Sequence, residues 1–340
     1  YLQQKTLCTK IAAYQTMLPS SLKVKDQKTE YAKYLYYIEL NQPNEVILTY
    51  INKYPRRKKQ ITILQDLLQQ GKILKSTYSS PQLNDLITDG LVKVIKEQIY
   101  RINNEQQTTK APSLTLDQQT AIAQVRLMKE QTYLLHGVTG SGKTEVYMQL
   151  ITKVLENNQT ALMLVPEISL TTQIINRFYS RFGSDVAIFH SALSDGEKYD
   201  EYLKILRDEV KIVIGTRSAI FTPIKRLGII IIDEEHSETY KQDTTPRYHA
   251  LDMAKFRSHY NHIPLILGSA TPSFESMARA NKGVYEYISM PNRVGSAHLP
   301  LISLVDMSLE MKKRNLIFSD LLRTKISDRL SKKEQVILLL

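Results

Sequence analysis

The 340-residue chain carries 42% hydrophobic and 23% charged residues, the mix of a chain that folds and not of a disordered tail, and its length calls for two or three domains. Lysine plus arginine outnumber aspartate plus glutamate 45 to 34, a net charge of +11 that suits a protein meeting phosphate backbones. A single cysteine, Cys8, excludes an intrachain disulfide and a multi-cysteine zinc site within these residues, and no apolar run reaches the ~20 residues that span a bilayer, so a cytoplasmic protein with no membrane partner is expected.

Residues 1–22 read as a short helix, with Leu2, Leu7, Ile11 and Tyr14 at helical spacing, a stop near Pro19, and Cys8 as a small apolar core residue. The first residue is Tyr1, not methionine, so a start inside a longer protein is expected. Residues 23–103 change to a small mixed unit: a tyrosine-rich strand over 31–40, helical stretches over 44–53, 60–70 and 80–87, and an alternating apolar run over 91–102. Helices followed by a two-stranded wing predict a winged helix. Arg56, Arg57, Lys58 and Lys59 then either dock on DNA or form a solvated loop. Residues 104–113 are polar, contain Pro112 and read as a linker.

From residue 114 onward short apolar strands at 132–136, 161–165, 186–189, 211–214, 228–232 and 264–267 alternate with amphipathic helices. This βαβ alternation predicts an α/β domain with a parallel sheet covered on both faces. After the first of these strands come Gly137, Val138, Thr139, Gly140, Ser141, Gly142, Lys143 and Thr144, a match to G-x-x-x-x-G-K-[ST] that opens a helix. Glycines let backbone amides turn inward around the phosphates of ATP, and the helix N-terminus adds its positive dipole end. Lys143 places its charge on the β- and γ-phosphates, and the Thr144 hydroxyl sits on Mg²⁺.

The strand at 211–214 leads to Thr216 and Arg217, which makes Arg217 the first choice for a DNA phosphate contact; pairing with a nearby acid is the plainer alternative. The next strand ends in Asp233, Glu234, Glu235 and His236. Asp233 is expected to reach Mg²⁺ and Glu234 to position the attacking water. Tyr240, Tyr248 and His249 either stack on bases or pack their own loop, with packing favoured for one tyrosine. Ser269, Ala270 and Thr271, within a Gly-Ser-Ala-Thr-Pro turn, follow the last strand and offer hydroxyls that sense the γ-phosphate.

In order and spacing these segments resemble the first lobe of a superfamily 2 helicase, and the details resemble the PriA family of replication-restart DNA helicases. Val165, Pro166, Glu167, Ile168, Ser169, Leu170 and Thr171 are similar to that family's first DNA-contacting motif, and Gly215, Thr216, Arg217, Ser218, Ala219, Ile220 and Phe221 to its second. The acidic box followed by Tyr240, Lys241, Gln242 and then Arg247, Tyr248, His249, Ala250 resembles the aromatic-rich loop through which the family couples DNA binding to hydrolysis. Residues 114–118 resemble the segment whose glutamine reads adenine, a role carried to Gln118. Leu251 departs from the arginine usual there.

The resemblance covers essentially the whole chain. It implies an end piece of the N-terminal 3′-DNA-end-binding domain at 1–22, a winged helix at 23–103, the first motor lobe at 114–307 and the start of a second at 308–340, with 335–340 as a strand. It further implies a 3′→5′ DNA helicase using ATP and Mg²⁺, acting on forked and single-stranded DNA near the nucleoid. The implied partners are single-strand DNA-binding protein, the primosome proteins and the replicative helicase loader. Zinc is expected only in a C-terminal region beyond these residues, and none within them. Residues 1–340 alone are expected to turn over ATP very slowly, because an arginine from a second lobe completes the charge cage in such motors. The rival readings are a fork-binding scaffold with a non-hydrolytic ATP switch, and another superfamily 2 translocase or RNA helicase.

Overall fold

The structure is a computed structural model that describes residues 1–6, 8–18, 22–23, 31–78, 81–102, 109–295, 301–312 and 317–339. Two short helices open the chain, α1 (Leu2–Thr6) and α2 (Lys10–Met17), where one helix over 1–22 is expected. Thr9 makes the break: its side chain accepts from the Ala12 amide and starts α2 as an N-cap. The break resets the helical phase, so Leu2 and Ala13 are buried while Ile11 and Tyr14 of the expected face are 70% and 57% exposed. Leu7 and Pro19 lie outside the described residues. Leu2, Ala13 and the half-buried Cys8 pack on the core of the large sheet domain, and Tyr1 stacks on Phe256 at 4.1 Å.

The small unit runs β1 (Lys33–Leu40), α3 (Asn44–Lys53), α4 (Lys58–Gln70), β2 (Lys72–Leu74), α5 (Pro81–Thr88) and β3 (Val92–Ile99). Its antiparallel sheet has the order β2-β1-β3, with β3 paired along all of β1 from Lys33↔Ile99 to Leu40↔Val92. The closing apolar run therefore finds its partner in the first strand of the unit, not in a hairpin neighbour. Ile38 of β1, Ile47 of α3, Leu64 of α4 and Leu86 of α5 form a separate core.

Beyond residue 109 the elements are α6 (Leu116–Gln124), β4 (Thr132–Gly137), α7 (Lys143–Glu156), β5 (Thr160–Leu164), α8 (Thr172–Phe182), β6 (Val186–Phe189) and α9 (Asp195–Leu206). They continue with β7 (Ile212–Gly215), β8 (Leu227–Ile232), α10 (Ala250–Asn261), β9 (Leu265–Ser269), α11 (Phe274–Asn281) and β10 (Glu286–Met290). The strands form one parallel sheet in the order β10-β4-β9-β8-β5-β7-β6, a RecA-like α/β architecture. Successive residues of β8 feed opposite faces: Ile229 and Ile231 join one core cluster, Ile230 and Ile232 the other. That two-sided burial is why the strand is an unbroken apolar run and not an alternating one. The edge strand β10 was not expected from the sequence; the other strands fall where the apolar runs place them.

The small unit is tied to this domain through buried charge. Asp200 on α9, fully buried, accepts from Arg101 Nη1 at 2.7 Å and from the Arg101 amide at 3.0 Å, and Arg101 Nη2 donates to the Tyr31 carbonyl. The first compact unit ends at Val294, earlier than the expected boundary at 307. The second unit, residues 295–340, holds α12 (Met307–Lys312) and α13 (Asp320–Ser331), whose N-terminus is capped by Ser319 and by Glu310 accepting from the Asp320 amide. Residues 335–339 form no strand, contrary to expectation, since a strand exists only through a ladder with a neighbour and none lies alongside among the described residues.

Candidate functional site

The phosphate-loop residues form the turn between β4 and α7. Gly140 and Gly142 both take φ +82°, left-handed backbone that side chains resist, and a Cβ on Gly142 would lie 2.2 Å from Gln118 Nε2. Lys143 is buried and its ammonium donates to the Gly137 carbonyl at 2.8 Å, spanning the loop from end to start. Ser141 is 1% exposed and its hydroxyl has no partner among the described residues. The first amides of α7, those of Lys143 and Thr144, belong to the donors that every helix N-terminus leaves free of intrahelical partners.

The loop is braced from two sides. Gln118, buried in the first turn of α6, forms a capping box with Thr115 and donates from Nε2 to the Ser141 carbonyl at 3.4 Å. A strap after β10 covers the rim: the Val138 amide donates to the Met290 carbonyl at 3.2 Å and the Val294 amide to the Gly140 carbonyl at 2.9 Å. Asn292 anchors the strap to Asp117 of α6. Val138 is half-buried, and Thr139 and Gly140 face solvent at the tip.

One strand, β9, lies between β4 and β8, so the phosphate loop and the acidic box stand about 10 Å apart at the same sheet edge. Together they line one cleft of about 930 Å³ that includes Gln118, Gly142, Lys143, Thr144, Asp233 and Glu234. Asp233 accepts from the Tyr147 hydroxyl at 2.8 Å, and its backbone carbonyl accepts from the Tyr240 hydroxyl at 2.6 Å. Burial raises the Asp233 carboxyl above its ordinary pKa, against the opposing Tyr147 bond and the Lys143 charge. A divalent cation there would reverse that penalty.

Glu234 holds φ +45°, left-handed backbone in a non-glycine residue, the kind of strain that gathers at working sites. The turn is pinned by the Ser237 amide on the Glu234 carbonyl at 2.9 Å and the Glu235 amide on the Gly268 carbonyl at 3.0 Å. Glu235 turns away from the cleft and is 2% exposed. It accepts from the Ser273 amide at 2.7 Å, the Ser273 hydroxyl at 3.2 Å and the Ser276 hydroxyl at 2.9 Å, so it caps α11. His236 Nδ1 meets the Ser269 hydroxyl at 2.8 Å, and that hydroxyl accepts from the Thr271 amide at 3.0 Å. The acidic box and the turn holding Ser269, Ala270 and Thr271 are thus one hydrogen-bonded body.

Both tyrosines of the aromatic-rich segment are inside, where packing is expected of one of them and stacking on bases is the alternative for the other. Tyr240 is fully buried, and Tyr248, 6% exposed, packs edge-to-face on Phe221 at 5.0 Å. Burial pushes the Tyr248 hydroxyl up to about 12. His249 accepts from the Leu251 amide at 3.2 Å and starts α10. Leu251 packs in the core beside Tyr248, which suits an apolar residue where arginine is usual. Lys241 bridges His249 antiparallel, Gln242 donates to the Pro246 carbonyl at 2.9 Å, and Arg247 to the Asp243 carbonyl at 2.9 Å. Among the described residues Arg217 is not paired with an acid; it donates to the carbonyls of Thr239 and Lys241 and so clamps this segment to the turn after β7.

Thr216 and Pro166 are buried, whereas Ser218 and Glu167 are exposed and Ser169 half-exposed at the same edge. Arg56, Arg57, Lys58 and Lys59 are exposed at the N-terminus of α4, which has no acid in its first turn, so cations crowd the positive end of a helix dipole. Arg57 is held by the Tyr50 hydroxyl at 2.7 Å and lies over the Tyr54 ring at 4.6 Å. These residues sit in the small unit, apart from the cleft.

Sequence reading missed Tyr147, the strap from Met290 to Val294, and Arg181 of α8, whose guanidinium pairs with Glu145 at 3.0 Å on the far wall of the cleft. Each needs a partner tens of residues away, and only the tyrosine, four residues after Lys143 on one helix face, leaves a local trace.

The donor set fits a nucleotide with a divalent cation. No three His, Cys, Asp or Glu side chains cluster to hold a metal among the described residues. Mg²⁺, however, takes one or two protein oxygens and completes its shell with phosphate and water, and Thr144 with Asp233 would supply those oxygens. No helix among the described residues is long and apolar enough to cross a membrane.

A DEAD/DEAH box helicase family model matches residues 115–280. Replication restart protein PriA of Bacillus subtilis is 48% identical over 274 residues, covering 78% of this chain and 34% of the relative. That of Synechocystis sp. is 45% identical over 284 residues, covering 81% and 34%. That of Rickettsia felis is 38% identical, covering 82% and 43%. The chain therefore spans about a third to two-fifths of the length of these relatives.

Proposed function

We propose, for a chain that belongs to the PriA family of replication restart proteins, that it is the ATP-binding lobe of an ATP-dependent 3′→5′ DNA helicase acting on stalled or forked DNA. The loop amides and Lys143 hold the β- and γ-phosphates, and Gln118 stands beside the loop to read adenine. Thr144 and Asp233 would hold Mg²⁺, which when bound would neutralise charge on the phosphate oxygens. Glu234 orients the attacking water. His236 transmits the loss of γ-phosphate to the turn at 269–271 and Glu235 to the start of α11, and the Arg217 clamp holds the aromatic-rich segment to the same sheet edge.

Thr216, Ser218, Pro166, Glu167 and Ser169 form the edge along which single-stranded DNA runs. Arg56, Arg57, Lys58 and Lys59 add salt-sensitive attraction to the duplex arm, with the small unit acting as a winged helix. Within the cell the protein works at the nucleoid, with single-strand DNA-binding protein, primosome proteins and the helicase loader as partners.

The reading rests above all on one observation: Lys143, Thr144, Asp233 and Glu234 line a single cleft. Its test is ATP hydrolysis by this chain with forked DNA, duplex RNA or neither present. Forked DNA is expected to raise the rate severalfold and RNA to leave it unchanged. Stimulation by RNA alone, or a rate indifferent to both, contradicts the DNA helicase reading.

A further inference from the structure

We infer that Tyr147 is a positioning residue for the metal carboxylate: its hydroxyl fixes one oxygen of Asp233 so that the other is left for Mg²⁺. The inference rests on the nucleotide reading above and names a residue that the phosphate-loop and acidic motifs do not contain.

Tyr147 lies four residues after Lys143 in α7, on the same helix face, so the helix that presents the lysine also presents this phenol one turn deeper. The side chain is fully buried and its hydroxyl donates to Asp233 Oδ1 at 2.8 Å. Room for that hydroxyl is made by Gly268: a Cβ there would lie 1.7 Å from the Tyr147 oxygen. A glycine in β9 is thus required by a hydroxyl of α7, which ties the nucleotide helix, the carboxylate and the start of the Gly-Ser-Ala-Thr-Pro turn to one point. From its other side Asp233 is held at the backbone carbonyl by Tyr240. With one oxygen bonded and the backbone anchored, the carboxylate has one rotamer to offer a cation. Partners of metal ligands at this remove typically change metal affinity by about 10–100-fold when removed.

The test is the Mg²⁺ concentration that half-saturates binding of a fluorescent ATP analogue to the whole chain. Tyr147→Phe, which keeps the ring and deletes the donor, is expected to raise that concentration by about 10-fold or more, with affinity for the analogue in EDTA unchanged. Gly268→Ala, which displaces the hydroxyl without touching Tyr147, is expected to raise it too. Tyr133→Phe is the control, because Tyr133 is equally buried and its hydroxyl accepts from the Arg126 amide at 3.0 Å away from the cleft; its Mg²⁺ requirement is expected to stay that of the unsubstituted chain. The inference is overturned if Tyr147→Phe shifts the requirement less than about twofold, if it weakens binding in EDTA as much as in Mg²⁺, or if Tyr133→Phe shifts it equally. Failure of the unsubstituted chain to bind the analogue overturns the nucleotide reading and this inference with it.

Discussion

Lys143→Ala lowers the affinity for ATP by about 100-fold and abolishes DNA-stimulated hydrolysis while leaving the fold intact. The lysine is the only full positive charge in the phosphate loop, and it acts where the N-terminus of α7 already favours an anion. Each charge-assisted hydrogen bond to a phosphate oxygen contributes about 1.5–3 kcal/mol, so losing contacts to two phosphates removes at least two powers of ten. Folding moves the other way. Lys143 is 9% exposed and its ammonium donates to a neutral carbonyl, so its desolvation opposes folding. Thermal unfolding of Lys143→Ala is therefore expected at or slightly above the temperature of the unsubstituted chain. Lys143→Arg keeps the charge but not the compact ammonium, and is expected to lose binding as well. Titration with ATP beside a melting curve checks both halves. Retained affinity, or lost affinity accompanied by a collapsed melting temperature, contradicts the assigned role.

Glu235→Ala destabilises the sheet domain by about 3 kcal/mol, roughly 1 kcal/mol for each of the three donors it leaves without an acceptor. Its neighbour in the acidic box behaves oppositely. Glu235 is 2% exposed and accepts three hydrogen bonds from Ser273 and Ser276 at the start of α11. Alanine leaves a buried amide and two hydroxyls without their acceptor and removes an anion from a helix N-terminus. Glu235→Gln keeps one acceptor and is expected to lose about half as much. Among the described residues Glu234 accepts no such hydrogen bonds, its carboxylate standing 3.8 Å from His236 Nδ1, and it sits in left-handed backbone, so Glu234→Gly is expected to hold or gain up to ~1 kcal/mol of stability while losing hydrolysis. Denaturant melts of the three variants decide it. Equal stability for Glu235→Ala and Glu234→Gly would contradict the division of labour between the two acids.

That division shows where sequence stops being readable. The acidic box was legible as a unit because a buried strand, Leu227–Ile232, runs into it, but nothing in four consecutive polar residues says that Glu235 turns from the cleft to cap α11. The phosphate loop was legible almost to the atom because its geometry is local: glycine backbone, a helix start and a lysine in fixed order. The parallel strands were legible because two-sided burial leaves unbroken apolar runs, whereas β10, with Glu286, Tyr287 and Ser289 outside, has no such run and is a strand only through its pairing with β4. Arg217 stands at the sheet edge where a DNA phosphate contact is expected, and no local pattern shows that its guanidinium also closes on carbonyls more than twenty residues downstream. The same limit hid Tyr147, whose partner Asp233 lies 86 residues away. At the N-terminus local chemistry misled, since a single cap at Thr9 undid the apolar periodicity of the first 22 residues.

The central claim, that the cleft between the phosphate loop and the acidic box holds ATP with Mg²⁺, is tested most directly by amide hydrogen exchange with and without the bound nucleotide. Slowed exchange is expected at residues 137–144 and 233–236, spreading to 268–272 through the His236–Ser269 bond, with the small unit over 33–99 unchanged. Unchanged exchange at 137–144 under saturating ATP and Mg²⁺, or protection confined to another part of the chain, would contradict it.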